Sequence, residues 1–132
     1  MQLKGIHHIA LNVSDLRRAE LFYTDVLGFQ VTHRFSKGLR HLMLDAGNVS
    51  IALFETPKLE VKEAMNLISD KGHLHFALEA EAKDFNNVVK ELQEKNVTID
   101  SGPVKRGEGV SIYFNDPDKN HLEIYCDNPR PS

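Results

Sequence analysis

The chain repeats itself. His8-Ile9-Ala10-Leu11 returns 67 residues later as His75-Phe76-Ala77-Leu78, and each copy lies in a stretch that alternates large apolar side chains with small or polar ones. That alternation has the period of a half-buried strand. An amphipathic helical pattern follows each copy, over 14–27 and then 82–95. Leu16, Ala19, Phe22, Tyr23, Val26 and Leu27 form the first apolar stripe, and Phe85, Val88, Val89 and Leu92 the second. Ser14 and Asp15 both suit the N-cap of the first helix, and Gly28 suits its end, where a left-handed residue is favoured.

Short β-type stretches come next, at 29–32 and 97–99, and a hairpin closes each half. The first hairpin runs 40–44, turns at 45–48 and returns over 49–54; the second runs 111–114, turns at 115–120 and returns over 121–126. Aligning Asp45 with Asp116 raises the offset to 71, which places a four-residue insertion most simply in a loop over 101–109. The fold class expected is α+β, with paired βαβββ modules at 5–56 and 72–127. The connection at 57–71 holds Pro57 and a short helical pattern at 63–68. Neither half would bury both faces of its sheet alone, so the two are expected to pack as one domain over 1–132.

A 132-residue chain that is 41% hydrophobic holds one ordinary core without a staple. Its formal net charge of -3 offers no basic field for a nucleic-acid backbone. The single cysteine, Cys126, has no internal disulfide partner and lies among alternating apolar residues, so packing is its expected role. No basic start followed by an apolar run marks a signal peptide, and the apolar runs are too short for a membrane span. A reducing, cytoplasmic location is the expectation, with neither nucleic acid nor membrane as partner.

Strand parity sorts the candidate site residues, because alternate residues share a face. Ile9, Leu11 and Val13 form the helix-covered side of the first strand, leaving His8, Ala10 and Asn12 on the other. The same count turns His73, His75 and Ala77 away from the second helix, and in the last strand it sets His121, Glu123 and Tyr125 opposite Leu122, Ile124 and Cys126. If a pseudo-twofold relates the halves, these second faces line one concave surface, with His8 and His75 in equivalent places. An offset of 71 makes Ala52 the counterpart of Glu123.

Two histidines and one carboxylate can hold a divalent metal while leaving positions open for water or substrate. His8, His75 and Glu123 are therefore the candidate ligands of one ion, with Mn, Fe, Zn and Ni all compatible. A lone histidine is more often a surface or hydrogen-bonded residue than a ligand, and it is the repeat that lifts His8 and His75 above that reading. His7 and His41 fall on core-type parity, where packing or a backbone hydrogen bond is expected; His33 reads as surface. His73 and His121 could orient a ligand. For a proton acceptor, Tyr125, His121 and a metal-bound water all stay open.

These stretches together resemble the vicinal oxygen chelate superfamily, which includes glyoxalase I, extradiol dioxygenases, fosfomycin-resistance enzymes and bleomycin-binding proteins. The resemblance is carried by Gly5 to Leu16, Phe22 to Phe29, His75 to Leu78 and Gly109 to Glu123, nearly the whole chain. It implies metal ligation at His8, His75 and Glu123. Glyoxalase I has a fourth carboxylate at the position of Ala52, so the resemblance points to the three-ligand members, fosfomycin-resistance-like or extradiol-dioxygenase-like. Their substrates are small and oxygen-chelating.

In the fosfomycin-resistance enzymes, the Ser and Tyr at the positions of Ser111 and Tyr113 reach the substrate's charged group. Arg40, read as sharing site-face parity with Leu42, is the expected positive charge, with Lys105 and Arg106 as alternatives in the nearby loop. The segment 37–42 holds no carboxylate to activate water. Family members commonly pair, which implies a homodimer. A second function stays open: a non-catalytic protein that binds a flat, bleomycin-like drug.

Overall fold

The computed structural model describes residues 1–58 and 75–127, which fall into two compact units, one on each side of the connection. The helical pattern expected at 63–68, together with His73 and Leu74, lies outside the described residues.

In the first unit, strand β1 (His8–Val13) leads into helix α1 (Leu16–Leu21), which widens into a π turn over Phe22–Val26. Strands β2 (Gln30–Phe35), β3 (His41–Asp45) and β4 (Ser50–Glu55) complete the βαβββ module. Of the two candidate caps the helix uses Asp15, whose carboxylate accepts the Arg18 N–H at 3.0 Å. Glu55, at the end of β4, accepts the Leu16 N–H at 2.9 Å. Gly28, at φ +80°, ends the helix and lets the Phe29 N–H reach back to the Tyr23 carbonyl at 3.0 Å.

The strand order is β1-β4-β3-β2, with β1 parallel to β4 and the other neighbours antiparallel. The helix-side core comprises Val13, Leu16, Ala19, Tyr23, Leu42, Leu44, Ile51 and Leu53, all buried. Each large aliphatic side chain buried there contributes about 1.5–3 kcal/mol of hydrophobic stabilisation.

The second unit repeats the plan, with β5 (His75–Glu79), a 3-10 turn at Ala82–Asp84, helix α2 (Phe85–Glu94), β6 (Ile99–Arg106), β7 (Gly109–Asn115) and β8 (His121–Asp127). Its order is β5-β8-β7-β6. Phe85, Leu92, Ile112, Phe114, Leu122, Ile124 and Cys126 are its buried residues on the helix side. Both modules use one register between their parallel strands. His8 lies opposite Ser50, and His75 opposite His121. Among the described residues no helix is long and apolar enough to cross a membrane.

Two expectations change. Residues 101–106, read as loop, belong to β6, and the extra residues are taken up as a longer, twice-bulged hairpin ladder with β7. The second correction concerns parity in β3. Asp45 pairs with Ser50 across a turn of residues 46–49, whereas Asn115 pairs with His121 across residues 116–120. The second turn holds one more residue, so β3 and β7 correspond at an offset of 70 while β4 and β8 correspond at 71. Leu42, 1% exposed, is therefore a core residue equivalent to Ile112, and His41 moves to the opposite face as the counterpart of Ser111.

Candidate functional site

In the second unit the sheet face turned away from α2 carries the candidate residues in cross-strand rows. His75, His121 and Asn115 form one row; Ala77, Glu123, Tyr113 and Ser101 form the next; Glu79, Tyr125 and Ser111 the third. Ala77 beside Glu123 is only a methyl, which leaves the neighbouring imidazole room to lean across. His75 Nε2 accordingly stands 3.0 Å from Glu123 Oε1. The two side chains are 26% and 10% exposed, so the donors are sheltered but reachable. The other oxygen, Oε2, accepts the Ser111 hydroxyl at 2.5 Å.

Beside His75 lies a cavity of about 530 Å³ lined by His75, Asp100, Ser101, Arg106, Tyr113 and His121. Tyr113 and His121 stack nearly parallel, with centroids 5.6 Å apart. Arg106 lies over the Tyr113 ring at 5.3 Å and donates Nε–H to its hydroxyl at 2.9 Å. Asn115 gives its amide N–H to Asp100, so its Oδ1 faces His121 Nδ1 at 3.1 Å. An ionised carboxylate only accepts, which fixes the amide's orientation and assigns the Nδ1 proton of His121.

The pair suits a divalent cation. Two donors at about 2.1 Å from a common ion and at right angles to it stand about 3 Å apart, the separation found between His75 Nε2 and Glu123 Oε1. Among the described residues no group of three His, Cys, Asp or Glu side chains is gathered around one point. His8, in the first unit, has its Nδ1 2.9 Å from that of His7. Ala52, the counterpart of Glu123, is a buried methyl group, 1% exposed.

Other candidates are engaged with partners of their own. Arg40 lies on the helix side, where it pairs with Glu55 at 3.1 Å and lines a cavity with Leu16, Arg17, Glu20, Leu21 and Arg34. Its expected site-face position rested on parity with Leu42, and Leu42 is a buried core residue on the helix side. Tyr125 donates its hydroxyl to Asp127, and that bond pushes its pKa from 10 up to about 12, further from the range of a proton acceptor at neutral pH. Burial pushes the Cys126 thiol up as well. His41 is stacked between Phe35 at 4.3 Å and Phe54 at 4.4 Å, with Nδ1 2.9 Å from the Leu39 carbonyl. Parity did not single out Asp100, Asn115 or Ser101. Their place depends on the β6–β7 register, which a charged stretch containing Gly102-Pro103 conceals.

Two tandem βαβββ modules, one presenting a histidine–carboxylate pair beside a small cavity, define a class of proteins built by internal duplication. The chain belongs to the glyoxalase/bleomycin resistance protein/dioxygenase superfamily, whose sequence profile it matches over residues 5–124. It is 34% identical to the uncharacterized protein YwkD of Bacillus subtilis, across 95% of this chain and 98% of that one. With the glutathione transferase FosA of Serratia marcescens it shares 28% identity, covering 93% of this chain and 81% of the transferase. The crystal structure of a glyoxalase/dioxygenase from Nostoc punctiforme superposes with a TM-score of 0.77 at 27% identity, over 98% of this chain and 92% of that one.

Proposed function

We propose that this protein is a divalent-metal-dependent enzyme acting on a small oxygen-chelating substrate, with His8, His75 and Glu123 as the ligands of one ion. The observation that carries the reading is the 3.0 Å approach of His75 Nε2 to Glu123 Oε1 at the wall of a substrate-sized cavity. Similarity to a glutathione transferase supports transfer chemistry. Ala52 supports a three-ligand centre over a four-ligand glyoxalase.

A bound Mn, Fe, Zn or Ni ion would supply Lewis acidity toward the substrate's oxygens. The chain's own groups do the rest. Asp100 and Asn115 hold His121 with its proton on Nδ1, so its lone pair is on Nε2, and we assign it to proton transfer in preference to Tyr125. Arg106 brings a positive charge to the cavity wall across the Tyr113 ring, where it would meet a negatively charged part of the substrate.

Elemental analysis of untagged protein tests the reading: the wild type should carry about one ion per chain, and His8→Ala, His75→Ala and Glu123→Ala should each lower that content. Metal content indifferent to all three changes sinks the centre. A drug-binding protein without chemistry would instead keep full ligand affinity after chelator treatment.

A further inference from the structure

Ser111 is fully buried, yet it carries a hydroxyl, and a buried hydroxyl requires a partner. Its direct neighbours across the ladder are Tyr125 in β8 and Val104 in β6. It reaches past that row to Glu123, donating to Oε2 at 2.5 Å, in the range of a charge-assisted hydrogen bond. Strand β6 closes over it. A Cβ added at Gly102 would lie 2.5 Å from the Ser111 carbonyl oxygen. With its hydroxyl proton given to Glu123 and no surface exposed, Ser111 lies out of a substrate's reach.

The first unit supplies an internal comparison. At the matched position of β4 the carboxylate is replaced by Ala52, and at the matched position of β3 the serine is replaced by His41, whose ring stacks on Phe35 and Phe54. The donor and the carboxylate are present together in one module and absent together from the other.

We propose that Ser111 is a positioning residue for metal binding: it holds Oε2 of Glu123 so that Oε1 alone is presented beside His75. The inference rests on the metal reading above. It makes Glu123 a one-oxygen ligand and removes Ser111 from the set of substrate contacts. A hydroxyl that orients a ligand changes metal affinity about 10- to 100-fold when it is lost.

The test is Mn(II) titration of the full chain, followed by the electron paramagnetic resonance signal of unbound Mn(II). Wild type, Ser111→Ala, Ser111→Cys, Ser111→Thr and Glu123→Ala are compared, with melting curves of each metal-stripped protein. Cysteine keeps the unbranched shape but carries a larger, poorly donating sulfur, and threonine restores the hydroxyl with one added methyl group. The expected result is a 10- to 100-fold loss of Mn(II) affinity in S111A and S111C and affinity within about threefold of wild type in S111T, with S111C melting close to wild type.

Wild-type affinity in a folded S111C overturns the positioning role and leaves the metal centre standing. Equal losses in S111C and S111T overturn it too, because shape rather than donation would then be at work. If wild type binds no Mn(II), or E123A binds it equally well, the metal reading fails and takes this inference with it.

Discussion

Glu55 is tied to both the start of α1 and Arg40, and the two contacts differ in worth. Its Oε2 takes the Leu16 N–H at 2.9 Å, and Leu16 is only 7% exposed, so removing the carboxylate strands a buried amide. A hydrogen bond to a charged group contributes about 1.5–3 kcal/mol, and a negative charge at a helix N-terminus adds about 0.3–1 kcal/mol. Arg40, with its side chain 59% exposed, makes an ion pair of the solvent-screened kind, worth about 0–1 kcal/mol. Glu55→Ala should therefore cost about 2–3 kcal/mol and Arg40→Ala under 1 kcal/mol. Glu55→Gln keeps an oxygen acceptor without the charge and should fall between them.

Urea denaturation at unchanged slope reads these differences directly. At about 2 kcal/mol/M the Glu55→Ala midpoint falls by about 1 M and that of Arg40→Ala by less than half as much. The double mutant should behave like Glu55→Ala alone, within about 0.5 kcal/mol. Equal losses from the two single changes would refute the assignment of Glu55 to the helix. So would a Glu55→Ala variant of undiminished stability, since the Leu16 amide would then need no carboxylate partner.

Four further outcomes follow from the geometry. A Cβ at Gly109 would meet the Cys126 carbonyl oxygen and come within 2.6 Å of the Tyr125 hydroxyl, so Gly109→Ala should destabilise by about 1–3 kcal/mol; an unchanged melting temperature contradicts this. Arg34 holds the Glu20 carboxyl below its ordinary 4.5. A depressed folded-state value means the pair's stabilisation is present above the unfolded pKa and fades as pH falls through the folded one, so the stability gap between wild type and Arg34→Met should close in acid; a constant gap argues against the pair. Ultraviolet titration should show one tyrosine ionising near pH 12, missing in Tyr125→Phe and moved toward 10 in Asp127→Asn; loss of a lower-titrating tyrosine in Tyr125→Phe counts against the Asp127 bond. Light scattering should return twice the 15.0 kDa chain mass, and a monomer removes the homodimer.

The duplication, the strand period and the helix faces were legible because each is a pattern of apolar side chains, and hydrophobic burial enforces such patterns directly. The shared face of His75 and Glu123 was legible by the same parity. The errors arose where backbone pairing overrides composition. Residues 101–106 have the makeup of a loop, yet they add to the ladder because β7 offers open hydrogen-bonding groups and bulges absorb the misfit. Arg40 was misplaced because Leu42 was taken to face the site, and an error of one in a strand's parity moves every side chain to the other face. Ser111 was assigned the correct face and a substrate role, but face alone does not say whether a hydroxyl points outward or across to a neighbour. The Asp100–Asn115–His121 chain was hidden for a similar reason: it joins residues from three strands, β6, β7 and β8, whose relative stagger no local pattern records.

The extra residue in the second hairpin turn also bears on protein engineering. Anyone wishing to transplant the carboxylate hand into the first module would need Ala52→Glu together with His41→Ser. Copying at a single spacing would choose Arg40→Ser instead and deposit the hydroxyl under the helix. A duplicated gene can thus keep its two halves alike in outline while one inserted codon changes which residues are interchangeable between them.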